Sequence, residues 1–148
     1  MRALLDTNLF ISYLLSSGRT GSAVGVILEA AFRGAFTLLF AIEIAEEMIA
    51  TTAARPDLMA RIGSGDVAEM FRQVENVAEV LPRLPAPPPE VGRDRKDDFL
   101  IAHAVLAHAD YLVSRDRDLL DLVDIAGVRF VSPPAFLEVL RAADRLPR

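Results

Sequence analysis

Cysteine is absent from the 148 residues, which removes disulfides and thiolate metal sites and fits a cytoplasmic protein. There is no run of roughly 18 apolar residues, so no membrane span is expected. Met1 leads straight into strand-like sequence without a secretory-leader pattern. Lysine is also scarce. Lys96 is the single lysine and the net charge is −5, so a generic basic coat for nucleic acid is excluded. The only histidines are His103 and His108. A metal site would therefore have to draw chiefly on oxygen ligands.

What remains is a globular composition, 52% hydrophobic and 25% charged, with length for one domain (1–148) and a real core. An acidic balance still suits a nuclease whose carboxylates hold cations. Phosphate contacts would then fall to the metal and a few local arginines.

The chain reads as strands alternating with helices. Arg2-Ala3-Leu4-Leu5 is an apolar strand that stops at Asp6-Thr7-Asn8, and a helix runs from about Asn8 to Ser16, ending near Ser17-Gly18. Ser22 caps a helix over Ala23 to Arg33, closed by Gly34. Phe36 to Phe40 is a strand buried on both faces, and a helix follows from Ile42 to Thr52 until Pro56 forbids continuation. Asp57 to Ile62 forms a short helix. Asp66 and Glu69 have capping-box-like spacing for another, to about Asn76.

A third strand covers Val77 to Leu81. Five of the nine prolines crowd between Pro82 and Pro89, an extended surface loop continued by Gly92 to Lys96. Asp97-Asp98 opens a nearly all-apolar helix to about His108. Tyr111 to Ser114 is a strand, Leu119 to Val123 a short helix and Val128 to Val131 the fifth strand. Ser132 and Pro133 start the last helix. This alternation implies a parallel sheet with right-handed crossovers, so strand ends at Leu5, Phe40 and Ser114 share one edge. Open α/β sheets bind ligands at that edge.

Acids cluster near it. Asp6 ends the first strand, where capping the next helix is the plain alternative. On the third helix Ile42, Ala45, Met48 and Ile49 mark the buried face. Glu43 then points to solvent, while Glu46 and Glu47 flank the apolar stripe, and the helical wheel does not choose between them. Asp97 and Asp98 both suit a helix N-terminus, so one cap and one ligand is an economical division. Asp118 fits the cap of the next short helix, which leaves Asp116 without a structural task. Four carboxylates sharing one cleft would repel strongly, and a hard divalent cation, Mg²⁺ or Mn²⁺, would resolve this. His103 sits about 140° around its helix from Asp98, which suits a packed or surface histidine better than a ligand.

The ordered set Leu4-Leu5-Asp6-Thr7-Asn8, Glu46-Glu47-Met48, Asp97-Asp98-Phe99-Leu100-Ile101-Ala102 and Ala109 to Leu120 resembles the PIN-domain ribonucleases, in particular VapC-like toxins of toxin–antitoxin pairs. The resemblance implies an α/β, three-layer α/β/α PIN-like fold with a parallel sheet of about five strands, order 3-2-1-4-5. It implies a Mg²⁺- or Mn²⁺-dependent endoribonuclease whose acids are Asp6, Glu47, Asp98 and Asp116. Glu47 is taken over Glu46 because the family glutamate precedes a large apolar residue. Asp98 is taken over Asp97 because the family acid precedes an apolar residue and then Leu/Ile-Ala.

Asn8, Asp97, Ser114 and Asp118 would support those acids. Arg93, Arg95, Lys96, Arg115 and Arg117 would receive RNA phosphate. A small antitoxin and a homodimer are further implications. Ala41 stands where the family commonly has a small hydroxyl residue, and Ser114 where it has threonine.

Rival readings are weaker on the residues. An aspartate-nucleophile phosphatase wants a second Asp where Asn8 stands, and a phospho-receiver domain wants a late lysine. A catalytically silent PIN-like interaction module remains the non-enzyme alternative.

Overall fold

A computed structural model describes residues 1–16, 22–88, 90 and 95–147, apart from the side chains of 64, 95 and 96. Within them β1 is Arg2–Leu5, α1 Thr7–Leu15, α2 Ala23–Phe32, β2 Thr37–Ala41 and α3 Ile42–Ala54. Next come α4 Pro56–Arg61, α5 Ser64–Val77, β3 Glu79–Leu81 and α6 Arg95–Leu106. The chain continues with β4 Tyr111–Val113, α7 Arg117–Leu120, β5 Asp124–Ile125, β6 Val128–Val131 and α8 Pro133–Ala142.

The sheet order is β3-β2-β1-β4-β6-β5, parallel except for the last pair. The five expected strands are present in the expected order, with Val128–Val131 in the fifth place. The sixth strand, Asp124–Ile125, was not foreseen, because two residues carry no alternation pattern. It pairs antiparallel to β6 through a turn in which Ala126 (φ 51°) and Gly127 (φ 85°) are both left-handed, as a two-residue hairpin of matching twist requires.

Strands β1 and β2 are apolar because both faces are covered. Ala3, Leu4, Leu5, Leu38 and Leu39 are fully buried. On the helical layers α2 packs with α8, α1 with α2 and α3, and α6 with β1 and β4, in keeping with a three-layer α/β/α fold. Edge-to-face aromatic pairs fill the joints: Phe10–Phe40 at 5.3 Å and Phe36–Phe136 at 5.2 Å. Tyr13 and Phe71 pack likewise, against Phe32 and Phe40.

Caps at Ser22 and Ser132 form as expected, accepting from the Gly25 and Ala135 amides. The Asp66–Glu69 capping box does not. Gly63 holds the N-cap of α5 without a side-chain bond, and Glu69 pairs with Arg72 instead. Helix α1 ends at Leu15, and the expected stop at Ser17-Gly18 lies outside the described residues. Residues 82–88 form neither helix nor strand, since proline lacks the donor both need. Helix α6 is less uniformly buried than expected: Leu100, Ile101 and Ala104 are inside, while Leu106 is exposed. No helix among the described residues is long and apolar enough to cross a membrane.

Candidate active site

The sheet register brings the ends of β1 and β4 side by side. Leu5 pairs with Val113, the Asp6 amide donates to the Val113 carbonyl at 2.9 Å, and the Ser114 amide donates to Val131 at 3.0 Å. Asp6 and Ser114 therefore leave the sheet as neighbours. The Ser114 hydroxyl is fully buried. It donates to Asp6 Oδ2 at 2.7 Å and accepts from the Asp116 amide at 2.9 Å. One hydroxyl thus fixes the first acid and the backbone of the second.

Asp6 occupies the N-cap position of α1, yet its side chain completes no capping hydrogen bond. Its carboxylate faces the acidic edge of the sheet. With 9% of Asp6 exposed, burial is the main cause that raises its pKa above 3.8, opposed by the Ser114 bond. Glu47 raises it further by repulsion, the nearby Asn8 amide lowers it, and Asp116 raises it. Two of the other three expected acids, Glu47 and Asp116, therefore act on Asp6.

The structure separates Glu46 from Glu47. Ile44 and Met48 form the buried side of α3, whereas Ile42 and Ile49 are exposed, which corrects the expected face. Glu47 lies about 60° around the helix from Ile44 and about 100° from Met48, at the edge of that buried side. Its Oε2 accepts from the hydroxyl of buried Thr7 at 2.7 Å. Glu46 points outward to Arg83 at 2.8 Å. The shift of phase arises because α3 begins directly at the end of β2, so the strand direction sets its rotation.

That same rotation overturns the expectation for Glu43. It is not solvated: its Oε2 accepts from the Leu84 amide at 3.2 Å and stands 3.0 Å from Nε2 of buried His103. Burial opposes the charged form of Glu43, but the His103 bond and the Leu84 amide outweigh it and hold the carboxyl below 4.5.

Asp98 is 3% exposed and Asp97 6%, both in the first turn of α6. The far end of that helix is fixed beside the start of β1, where the Arg2 guanidinium donates twice to the Ala107 carbonyl. The helix packs on β1 and β4, and Asp98 itself lines a cavity with Leu84, Ile101, Ala102 and Ile125. Phe99 and Leu100, next to Asp98, line a second cavity of about 260 Å³ together with Glu43, Glu47 and His103.

The cap assignment near Asp116 also changes. Helix α7 starts at Arg117, two residues earlier than expected, so Asp116 Oδ1 accepts from the Asp118 amide and is the cap itself. Asp118 sits inside the first turn. Asp116 thus has a structural task as well as a place among the acids.

A family model described as PIN domain matches residues 2–118. The chain belongs to the PIN-domain family. No curated protein matches the chain. PIN domains are generally nucleases, and nuclease-type hydrolysis is the chemistry this family brings.

Of the remaining residues, Asn8 of this PIN domain is exposed, and its side chain makes no hydrogen bond among the described residues. Arg115 is exposed and donates to the Ser12 hydroxyl at 2.9 Å, while Arg117 is exposed on α7. Arg93 lies outside the described residues, as do the side chains of Arg95 and Lys96. Among the described residues no group of three or more His, Asp or Glu side chains is already arranged to hold a metal ion. The donor chemistry nevertheless fits a hard cation. Oxygen donors predominate, and a buried carboxylate carries repulsion that a cation would reverse. Such an ion commonly keeps several waters and takes only one or two carboxylates directly.

Thr7, whose buried hydroxyl holds Glu47, has no place among the residues the sequence singles out. The signal was present in the Asp6-Thr7-Asn8 triplet, because a hydroxyl one residue beyond a buried strand end faces the neighbouring element.

Proposed function

We propose that this PIN domain, read as one domain over residues 1–148, is a Mg²⁺- or Mn²⁺-dependent endoribonuclease. The observation that carries the proposal is the pair of hydroxyl clamps. Ser114 holds Asp6 and the Asp116 backbone, Thr7 holds Glu47, and the acids so held raise the proton affinity of Asp6. A helix cap alone would not need Glu47 and Asp116 placed so that both repel the buried Asp6 carboxylate.

Asp6, Glu47, Asp98 and Asp116 are the residues that would hold the ion. When bound, Mg²⁺ or Mn²⁺ supplies a water activated near neutral pH and charge neutralisation for the phosphate. Ser114 and Thr7 keep two of the carboxylates oriented. Arg115 and Arg117, on the rim beside Asp116, receive backbone phosphates, and Arg93, Arg95 and Lys96 are placed by sequence next to Asp98. RNA rather than DNA, a toxin role, a small antitoxin partner and a homodimer follow from the VapC-like resemblance, and a cytoplasmic location fits the lack of cysteine.

Cleavage of single-stranded RNA is to be measured in Mn²⁺, in EDTA and with Asp6→Asn. Cleavage confined to the native protein with Mn²⁺ is the expected result. Equal rates in all three reject the proposal, and metal binding without cleavage favours a silent module.

A further inference from the structure

The cavity between α3 and α6 is crossed by one polar link that the acid set does not use. Helix α3 packs chiefly on α1, α4 and β2, and α6 packs on β1 and β4. Neither helix has the other among its main neighbours, yet they carry Glu47 and Asp98. His103 of α6 is 4% exposed, and its Nε2 lies 3.0 Å from Glu43 Oε2. Glu43 stands one helical turn before Glu47 on α3, and the same Glu43 oxygen takes the Leu84 amide. A buried imidazole facing a carboxylate is expensive to place unless the two satisfy each other. No purely apolar contact would impose a particular spacing so sharply, because only the hydrogen bond fixes distance and direction.

We propose that His103 and Glu43 are positioning residues: they tie α6 to α3 and to the start of the proline-rich segment, and so set the distance between Glu47 and the first turn of α6. The inference rests on the nuclease reading only for its consequence in catalysis. The tie itself is a statement about two helices, and it is tested separately.

The absence of cysteine makes the test clean, because two introduced thiols label specifically. Ala50→Cys on the exposed side of α3 and Leu106→Cys at the exposed end of α6 carry spin labels for double electron–electron resonance without metal. The parent pair should give one narrow distance distribution. His103→Leu, which fills similar space without a donor, should broaden or shift it. His103→Gln, whose amide can still donate to Glu43, should restore it. Glu43→Met tests the link from its other end and should act like His103→Leu.

In the protein without labels, His103→Leu should lower kcat for RNA at least tenfold in Mn²⁺ with KM changed less than threefold, and His103→Gln should recover most of that loss. Unchanged distance distributions in both His103→Leu and Glu43→Met overturn the tie. So does a broadened distribution that His103→Gln fails to narrow. If the native protein proves inactive on RNA, the nuclease reading falls, while the distance measurements still decide the tie.

Discussion

Asp6→Asn should stabilise the metal-free protein while abolishing cleavage. Burial, then repulsion from Glu47 and Asp116, raises the Asp6 pKa in the native state despite the Ser114 bond. The stability contributed by such a group is fully present below its unfolded value of 3.8 and is lost as pH rises through the higher folded value. At pH 7.5 the anion is therefore a net cost to the fold, and each unit of upward shift corresponds to about 1.4 kcal/mol. Asparagine keeps the shape and an oxygen for the Ser114 hydroxyl, and it removes the charge. The gain should be on the order of 1 kcal/mol, or about 2–4 °C in Tm for a chain of this size.

Scanning calorimetry in EDTA at pH 7.5 measures the gain. Towards pH 4 the difference should shrink, because the native Asp6 takes up its proton. Manganese should reverse the order. A ligand at a hundred times its Kd adds about 2.7 kcal/mol to whichever protein binds it, and the variant should gain little. An Asp6→Asn protein melting at or below the native one in EDTA at pH 7.5 would refute the electrostatic argument. Equal stabilisation of both proteins by Mn²⁺ would refute the assignment of Asp6 to the ion.

Thr7→Val is nearly isosteric and removes the hydroxyl that donates to Glu47, a bond to a charged group of about 1.5–3 kcal/mol. Denaturant unfolding should show that loss, with weaker Mn²⁺ binding by titration calorimetry, and Thr7→Ser should recover both. Ser114→Ala deletes the leading influence that lowers the Asp6 pKa, so the acidic limb of the cleavage–pH profile should move to higher pH. A limb that stays in place separates Asp6 from the rate. Glu43, whose pKa is lowered, contributes stability that is present above 4.5 and lost as pH falls through the lower folded value. Glu43→Gln should flatten that part of the acid-unfolding curve, read by circular dichroism.

The strand order was legible because it depends on local patterns. An apolar strand ending in a polar residue needs only its own sequence to be recognised, and parallel alternation then puts Asp6 and Ser114 on one edge. The environment of Glu43 was not legible, because it depends on the rotation of α3. That rotation is inherited from β2, with no loop to absorb an error, and a wheel drawn from hydrophobicity alone placed Ile42 and Ile49 inside when they are exposed. The cap at Asp116 was misread for a related reason. A four-residue helix has too little periodicity to mark its first turn, and the hydrogen bond from the Asp118 amide decides it.

The two kinds of element hold their acids differently. Asp6 and Ser114 are held by the strand ladder, where a slip of one residue would turn both to the opposite face, so their register is strongly specified by the buried strands. Glu47 has no such protection. A helix can roll by some tens of degrees at small cost in apolar burial, since hydrophobic contact is not directional. The polar contacts of α3 supply the missing direction: Thr7 grips Glu47 from β1's end, and His103 with the Leu84 amide grips Glu43 one turn earlier. Two grips a turn apart on one face resist rolling where one would act as a pivot. The acid that apolar patterning locates least securely is thus the one that buried hydrogen bonds hold from two sides.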